Sequence, residues 1–194
     1  MAEVLLFHHI QGLTEGVIAF ADDQRAAGHT VHTPDLFDGR TFDTMEGAFA
    51  FVRDAGDALD AKTNSAAQAL PEGLVYAGFS WGVGAAQRLA QTRPGARGAL
   101  LYEACFPIIG EYAFGPWPND VPVQIHGKAD DQFFAHEGDI DAARELVATV
   151  GADQAELFVY PGDEHLFVDR SLPTYDADAA ALVTQRTLRF LSVL

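Results

Sequence analysis

The sequence predicts one α/β domain, a mostly parallel sheet with helices covering both faces. Apolar runs without polar alternation, such as Val4–Phe7 and Leu74–Phe79, are typical of strands that are buried on both sides. Segments with helical spacing separate these runs, and this alternation implies right-handed crossovers between parallel strands. The 194 residues fit a single domain, and a hydrophobic content of 48% is enough to bury its core.

The first half of the chain is expected to alternate strands and helices up to a glycine-rich turn. A buried strand covers Val4–Phe7, and a helix from about residue 17 ends at Gly28, since glycine commonly terminates helices. A short strand follows at 30–33. Asp43 and Glu46 resemble a capping box, which predicts a helix running to about Leu59. A second helical piece is expected at 63–70, before Pro71.

The second half repeats the alternation. After the strand that ends at Phe79, a helix rich in small residues begins near Gly82. Further strands are expected at 98–102, 121–127 and 155–160, with an irregular segment at 103–120. Helices are expected at 139–150, ending at Gly151, and at 176–191. No repeat, low-complexity segment or linker divides the chain.

Charge and composition exclude several function classes. The formal charge is −16, from 28 acidic and 12 basic residues, so the surface repels phosphate backbones and anionic membranes. No apolar run approaches the roughly 18 residues that a membrane helix needs. Cys105 is the single cysteine and cannot form an internal disulfide, and the N-terminal residues lack the features of a signal peptide. We therefore expect a cytoplasmic protein that binds neither nucleic acid nor membrane.

The most informative motif is Gly-x-Ser-x-Gly at residues 78–82, between a buried strand and a helix. In this context it indicates a nucleophile elbow, a strained turn that presents Ser80 at the strand tip. Gly78 and Gly82 are then small because neighbouring chain comes close. The N–H of Trp81 would lie at the helix N-terminus, where it can donate to an oxyanion. The alternative is a glycine-rich turn of any doubly wound protein.

Two later strand tips provide the partners that a serine nucleophile needs. His165 follows a Pro-Gly turn after one strand, and Asp130 follows Gly127 after another. The chain order Ser, Asp, His is that of an α/β-hydrolase triad, in which the carboxylate orients the imidazole that activates the serine. We favour Asp130 as the acid, with Asp131 as the alternative. Taken alone, His165 could also be a surface histidine.

Over nearly its whole length the chain resembles the dienelactone hydrolase family of the α/β-hydrolase superfamily. The likeness lies in the segments at 4–12, 33–37, 78–82, 127–131 and 160–167. The resemblance implies an α/β-hydrolase fold and a triad of Ser80, Asp130 and His165, and no insertion in the sequence is long enough to form a lid domain. It further implies that the backbone N–H groups of Ile10 and Trp81 form the oxyanion hole.

The chain also departs from the family pattern. Well-known dienelactone hydrolases have a cysteine where this chain has Ser80, and a glutamate in the first loop where it has His9. The arginines that hold the substrate carboxylate are not clearly matched, since Arg170 is offset by one position. These departures favour a serine esterase or lactonase over an enzyme for dienelactone itself.

The sequence also yields candidates for the pocket and argues against a metal. Adjacent residues in extended chain point in opposite directions, so His8 and His9 are not expected to share a metal ion. We expect no cofactor, and the oligomeric state is open. Residues beside the strand tips are candidates for the pocket wall: His9, Phe37, Phe106, Trp117, Phe133 and Phe167, with Trp81, Phe114 and Phe134 as further aromatics.

These observations favour a serine hydrolase of small carboxylic esters or lactones. A thioesterase or an acyl-peptide hydrolase would use the same groups with a different pocket. The rival from another class is a non-catalytic α/β module that binds a small hydrophobic ligand, because function depends on the site and not on the fold.

Overall fold

A computed structural model describes all 194 residues, and its centre is a six-stranded sheet in which every pair of neighbours is parallel. The spatial order is β2-β1-β3-β4-β5-β6. The predicted parallel α/β architecture is therefore confirmed. The strands are β1 Glu3–Phe7, β2 Thr30–His32, β3 Val75–Phe79, β4 Gly98–Tyr102, β5 Val123–Lys128 and β6 Ala155–Tyr160.

Helices connect the strands and cover both faces of the sheet. Two of them, α1 and α6, pack on one face, and α3, α4 and α5 pack on the other together with part of α2. No helix is long and apolar enough to span a membrane. The helices are α1 Glu15–Ala26, α2 Met45–Ala55, α3 Asp57–Gln68, α4 Trp81–Thr92, α5 Asp139–Val150 and α6 Ala177–Ser192.

The core consists of two layers because successive strand residues face opposite sides of the sheet. In β1, Leu5 and Phe7 belong to a cluster of 27 buried residues beneath α3, α4 and α5. Val4 and Leu6 belong to a second cluster of 20 beneath α1 and α6. The continuous apolar runs of the sequence thus supply both layers at once.

Two expected helices are wrong in their bounds, since the piece expected at 63–70 belongs to α3, which runs from Asp57 to Gln68. The helix predicted from Asp43 to Leu59 instead begins after Thr44, whose hydroxyl accepts from the N–H of Gly47, and it ends at Ala55. Gly56 has a φ of 50°, which breaks the helical hydrogen bonds, and α3 starts at Asp57. Glycine at this position explains why a continuous helical pattern becomes two helices.

The sheet order decides which loops can meet. The four neighbouring strands β3, β4, β5 and β6 are parallel, so their carboxyl ends lie on the same side of the sheet. Ser80, Glu103 and Asp131 follow β3, β4 and β5 closely, and His165 follows β6. These side chains therefore converge at one edge of the sheet.

Candidate active site

Ser80 occupies a strained backbone position at the tip of β3. Its φ of 46° and ψ of −113° are unusual for a residue with a side chain. The N–H of Ser80 donates to the carbonyl of Tyr102 at 2.7 Å, which fixes the turn to the neighbouring strand. A Cβ at Gly78 would lie 2.4 Å from the carbonyl oxygen of Gly82. The elbow thus requires glycine there for close approach of the backbone.

Gly82 is required for the same reason on the other side of the turn. A Cβ on it would lie 2.5 Å from the carbonyl oxygen of His8 and 2.7 Å from that of Phe7. The first turn of α4 therefore packs directly on the end of β1. This contact sets the position of Ser80 relative to the loop that follows β1.

Ser80, His165 and Asp131 form a continuous hydrogen-bonded chain. The Ser80 hydroxyl donates to Nε2 of His165 at 2.8 Å, and Nδ1 of His165 donates to Oδ2 of Asp131 at 2.6 Å. Asp131 is fully buried, and the side chain of His165 is only 10% exposed. In this tautomer the imidazole can accept the serine proton while the carboxylate stabilises the resulting charge.

The carboxylate that accepts the hydrogen bond of His165 belongs to Asp131. The prediction that Asp130 is the acid of the triad is therefore wrong, and the alternative, Asp131, occupies that position. Asp130 is exposed, and its N–H donates to the carbonyl of Gly162 at 3.0 Å. Asp131 turns inward, and its Oδ1 accepts from the N–H of Phe133 at 2.9 Å. This local turn holds the Asp131 side chain towards β6, and its predecessor consequently faces solvent.

The charges around His165 favour its protonated form. Burial alone would lower the pKa of the imidazole, but the hydrogen bond to Asp131 and the negative charges of Glu103, Asp131 and Asp139 together raise that pKa above its ordinary value. An imidazole in such a field is a stronger base than a free histidine. His165 is therefore suited to take a proton from Ser80.

Glu103 is a site residue that sequence reasoning missed. It lies directly after β4, is 1% exposed and has a φ of 65°. Its N–H donates to the carbonyl of His126 at 2.6 Å, and its carboxylate faces the backbone N–H groups of Phe167 and Val168 in the segment after His165. Burial raises the pKa of Glu103 to about 7. Its position after a buried strand next to the elbow strand was the available signal.

The two predicted oxyanion donors lie beside Ser80. Ile10 and Trp81 both line the same cavity as the serine. The backbone N–H of Ile10 makes no hydrogen bond within the protein. Trp81 is the first residue of α4, where backbone N–H groups have no helical acceptor. Both N–H groups are thus free to bind an oxygen that carries negative charge.

The loop that carries Ile10 is attached to the loop after His165. Nε2 of His9 donates to Oδ2 of Asp169 at 2.8 Å, and the Thr14 hydroxyl donates to the same oxygen. Hydrogen bonds to His9, Ser171 and Thr14 hold the pKa of Asp169 at about 2, although burial opposes them. The pair is almost completely buried, so this ionised carboxylate links the two loops firmly.

His9 therefore does not line the pocket, contrary to expectation. Nδ1 of His9 accepts from the N–H of Gln11 at 3.2 Å, so both of its ring nitrogens are occupied. His8 is fully buried, with Nδ1 donating to the carbonyl of His9 and Nε2 accepting from the N–H of Leu36. Burial lowers the pKa of His8 to about 4. Both histidines hold backbone in place.

The cavity beside Ser80 has a volume of about 220 Å³. Met45 and Phe49 reach it from α2, so this short helix supplies one wall. Three carboxylic acids also line it, but no lysine or arginine does. The full lining is Ile10, Met45, Phe49, Ser80, Trp81, Glu103, Ala104, Phe106, Phe133, Glu137 and Asp139.

The predicted pocket aromatics divide into two groups. Phe106 and Phe133 line the cavity, as expected, and Phe133 lies 4.7 Å from His165 between ring centroids. Phe37, Phe167 and Trp117 are buried in the core instead. Trp117 donates from Nε1 to the carbonyl of Val121, so its indole is used structurally. A second cavity of about 460 Å³ shares Trp81 and Phe106 with the first and also contains Phe114.

A buried lysine, Lys128, holds together the segments around His165 through two ion pairs. Nζ of Lys128, at the end of β5, donates to Glu164 at 2.5 Å and to Asp176 at 2.7 Å. Asp176 also caps α6 by accepting from the N–H of Ala179. Lys128 thereby joins the loop that carries His165 to the last helix. Arg170, the offset arginine, lines a separate depression between α1 and α6.

The chain matches a known family model over its whole length. The family model described as "Dienelactone hydrolase family" matches residues 1–194. The chain belongs to the dienelactone hydrolase family. This membership confirms the resemblance and places the chain among hydrolases that act on ester bonds. No curated protein matches the sequence.

Solved structures show the same fold at low sequence identity. A Klebsiella pneumoniae subsp. pneumoniae protein assigned to the dienelactone hydrolases has 20% identity and a TM-score of 0.74, with 100% of this chain and 88% of that one covered. A dienelactone hydrolase-like promiscuous phosphotriesterase from metagenomic libraries has 18% identity and a TM-score of 0.77, with coverage of 100% and 87%. An esterase has 16% identity and a TM-score of 0.61, with coverage of 98% and 92%.

Proposed function

We propose that this dienelactone hydrolase family member is a serine hydrolase of small carboxylic esters or lactones. The observation that carries the proposal is the hydrogen-bonded chain from Ser80 through His165 to Asp131, with distances of 2.8 and 2.6 Å. A binding module has no use for a strained serine that is aligned on a buried imidazole and carboxylate. The same residues define the reaction type.

In the first half of the reaction, Oγ of Ser80 attacks the ester carbonyl carbon and its proton passes to Nε2 of His165. Asp131 stabilises the imidazolium that results. The carbonyl oxygen becomes an oxyanion, and the N–H groups of Ile10 and Trp81 receive it. The alkoxide then leaves with the proton that His165 returns, and an ester of Ser80 remains.

In the second half, a water molecule attacks the acyl carbon while His165 accepts a proton from it. The collapse of this intermediate breaks the bond to Ser80, which recovers its proton from His165, and the carboxylic acid is released. All protons and bonds in these steps are accounted for by the protein, the ester and water, with no metal or redox cofactor required. A lactone follows the same path, except that its alcohol stays attached to the product.

The size of the cavity supports small substrates. Its volume of about 220 Å³ lies below the range of about 300–1,000 Å³ typical of pockets for drug-sized ligands. Ile10, Trp81, Phe106 and Phe133 give it mostly apolar walls next to the serine. A cytoplasmic location remains part of the proposal, and it is supported by the single, unpaired Cys105.

The decisive experiment measures hydrolysis of a short-chain p-nitrophenyl ester by the wild type and by Ser80→Ala and His165→Ala. We expect both variants to lose at least roughly a thousandfold in kcat, as members of a cooperating set do. Wild-type turnover equal to that of Ser80→Ala on esters and lactones would contradict the proposal. Thioester and acyl-peptide substrates, tested in parallel, decide between the related hydrolase classes.

A further inference from the structure

The end of β5 and the turn that carries His165 are joined residue by residue. Each residue of the segment Lys128–Asp131 is hydrogen-bonded to the segment Tyr160–His165, either through a backbone N–H group or through a side chain. The position of His165 therefore depends on the whole set of bonds and not on Asp131 alone. The bonds join Lys128 to Glu164 at 2.5 Å, Ala129 to Tyr160 at 2.8 Å, Asp130 to Gly162 at 3.0 Å and Asp131 to His165 at 2.6 Å.

Lys128 is bonded to Glu164, the residue directly before His165, and its ammonium group packs against the turn. The side chain of Lys128 is 1% exposed. A Cβ on Gly162 would lie 2.8 Å from its Nζ, so the turn and the ammonium group are in close contact. Nζ also lies 5.2 Å from the centre of the Phe167 ring. Residues before and after His165 thus enclose the charge.

Asp176 connects the same ammonium group to the segment that follows His165. Its Oδ2 accepts from Nζ of Lys128 at 2.7 Å, and its N–H donates to the carbonyl of Phe167 at 3.0 Å. Lys128 is therefore linked to the chain on both sides of His165, directly to Glu164 before it and through Asp176 to Phe167 after it. These links fix the backbone that carries the imidazole.

The stability of the fold does not by itself explain a charge at this position. Burial of an ammonium group costs free energy because the group loses its hydration. The side chains of Glu164 and Asp176 are 44% and 33% exposed, so both carboxylates would be hydrated without the lysine. A methionine, which is flexible and of similar length, would fill the space without the cost of burying a charge. What the charge adds is the pair of bonds on either side of His165.

We propose that Lys128 is a positioning residue for catalysis, which acts through Glu164 to hold the imidazole of His165 at the distance from Ser80 that proton transfer requires. The inference rests on the proposed serine hydrolase function. Lys128 does not line the cavity that contains Ser80, so it acts on the rate and not on substrate binding. A displacement of about 1 Å at the reacting groups can lower the rate about a hundredfold.

The first test replaces the lysine. Lys128→Met should lower kcat for a short-chain p-nitrophenyl ester by at least about tenfold per active site and leave KM within about threefold of the wild-type value. Active sites are counted by titration with a fluorophosphonate. Lys62→Met is the matched control, because Lys62 is the only other lysine, also pairs with an exposed carboxylate, that of Asp38, and does not line the cavity. Its kcat should equal that of the wild type.

The second test removes the partner of the lysine, and it stands even if Lys128→Met does not fold. Glu164→Ala should lower kcat at least about threefold, whereas Asp163→Ala, an exposed carboxylate of the same turn outside the contacts of Lys128, should not. In the Lys128→Met background, Glu164→Ala should have no further effect, because the bond that it removes is already absent. Losses that multiply in the double variant would overturn the inference.

A merely structural role gives a different result. It would lower the melting temperature or the number of titratable active sites of Lys128→Met but leave kcat per active site unchanged. Thermal unfolding and the titration measure both quantities in every variant. An unchanged kcat per active site in Lys128→Met, or in Glu164→Ala, would overturn the inference while Ser80-dependent hydrolysis by the wild type still supported the proposed function.

A readout that is independent of catalysis decides if no ester is hydrolysed and the proposed function fails. The NMR shifts of the ring nitrogens of His165, assigned by their loss in His165→Ala, report which nitrogen carries the proton. The wild type and Lys62→Met should show the proton on Nδ1, where it is donated to Asp131. In Lys128→Met the shifts should move towards those of a free histidine. Shifts that Lys128→Met leaves unchanged, or a wild type without this preference, would overturn the inference.

Discussion

His165 donates its Nδ1 hydrogen bond to Asp131 at 2.6 Å, while Asp130, one residue earlier, is exposed. Two adjacent carboxylates therefore differ completely in environment. Oδ1 of Asp131 is held by the N–H of Phe133, so its other oxygen is aimed at the imidazole. This arrangement predicts that Asp131, and not Asp130, is the carboxylate required for catalysis.

Asp131→Asn should reduce kcat for a p-nitrophenyl ester by roughly 10⁴, because the amide no longer holds the imidazole in the tautomer that accepts the serine proton. Asp130→Asn should stay within about twofold of the wild type, as expected for an exposed residue. Steady-state kinetics on both variants measures the difference. Equal losses, or a larger loss at Asp130, would contradict the geometry.

The pH dependence of kcat/KM should report the raised pKa of His165. Activity requires the neutral imidazole, so kcat/KM should rise with pH and reach half its maximum above about pH 6.5, the ordinary value for histidine. Glu103→Gln removes one of the charges that raise this pKa and should shift the midpoint to lower pH. Asp130→Asn serves as the control. A midpoint that is unchanged in Glu103→Gln would show that Glu103 does not act on His165.

Glu103 should make the folded protein less stable as the pH rises. Its pKa is about 7 in the folded state and ordinarily 4.5, so the folded state binds the proton more tightly. Stability due to this group is therefore full below about pH 4.5 and is lost as the pH rises to about 7, by at most about 3 kcal/mol. Urea unfolding of wild type and Glu103→Gln from pH 4.5 to 8 measures the difference. A difference that does not change with pH would refute the prediction.

The two glycines of α4 closest to the elbow should respond differently to alanine. In Gly82→Ala the new Cβ would lie 2.5 Å from the backbone oxygen of His8 and 2.7 Å from that of Phe7. These backbone atoms can move aside only at a large cost in free energy. We expect a loss of roughly 3 kcal/mol or more. In Gly84→Ala the nearest atoms belong to the Phe106 ring at 3.6 Å, an ordinary contact. This variant should be as stable as the wild type or gain up to about 1 kcal/mol.

Denaturant unfolding of both glycine variants gives the comparison directly. Similar stability for the two would mean that α4 does not pack on the end of β1 as closely as described. Since Gly84 lies in the same helix, it also controls for the general effect of glycine replacement on helix propensity.

Much of the fold and part of the site followed from local pattern. Apolar runs without alternation located the strands, and the bounds of β6 at Ala155–Tyr160 agree with the expectation residue for residue. The elbow was recognisable because Gly78, Ser80 and Gly82 lie within five residues between an apolar strand and a helix, although the contact that requires Gly82 is with the end of β1. Helix bounds were less secure, since Gly56 divides a pattern that Asp43 and Glu46 suggested was continuous.

The sequence by itself determined the parallel α/β sheet, the elbow serine and the strand tip that carries His165, because each can be recognised from a pattern of residues that are near in the chain. Only the tertiary structure decided that Asp131 rather than Asp130 meets His165, that His9 is engaged by Asp169, and that Glu103 is enclosed beside Ser80. These three outcomes depend on the direction of a side chain where separate strand tips converge. That direction is fixed by packing and hydrogen bonds between distant segments, which no local pattern records.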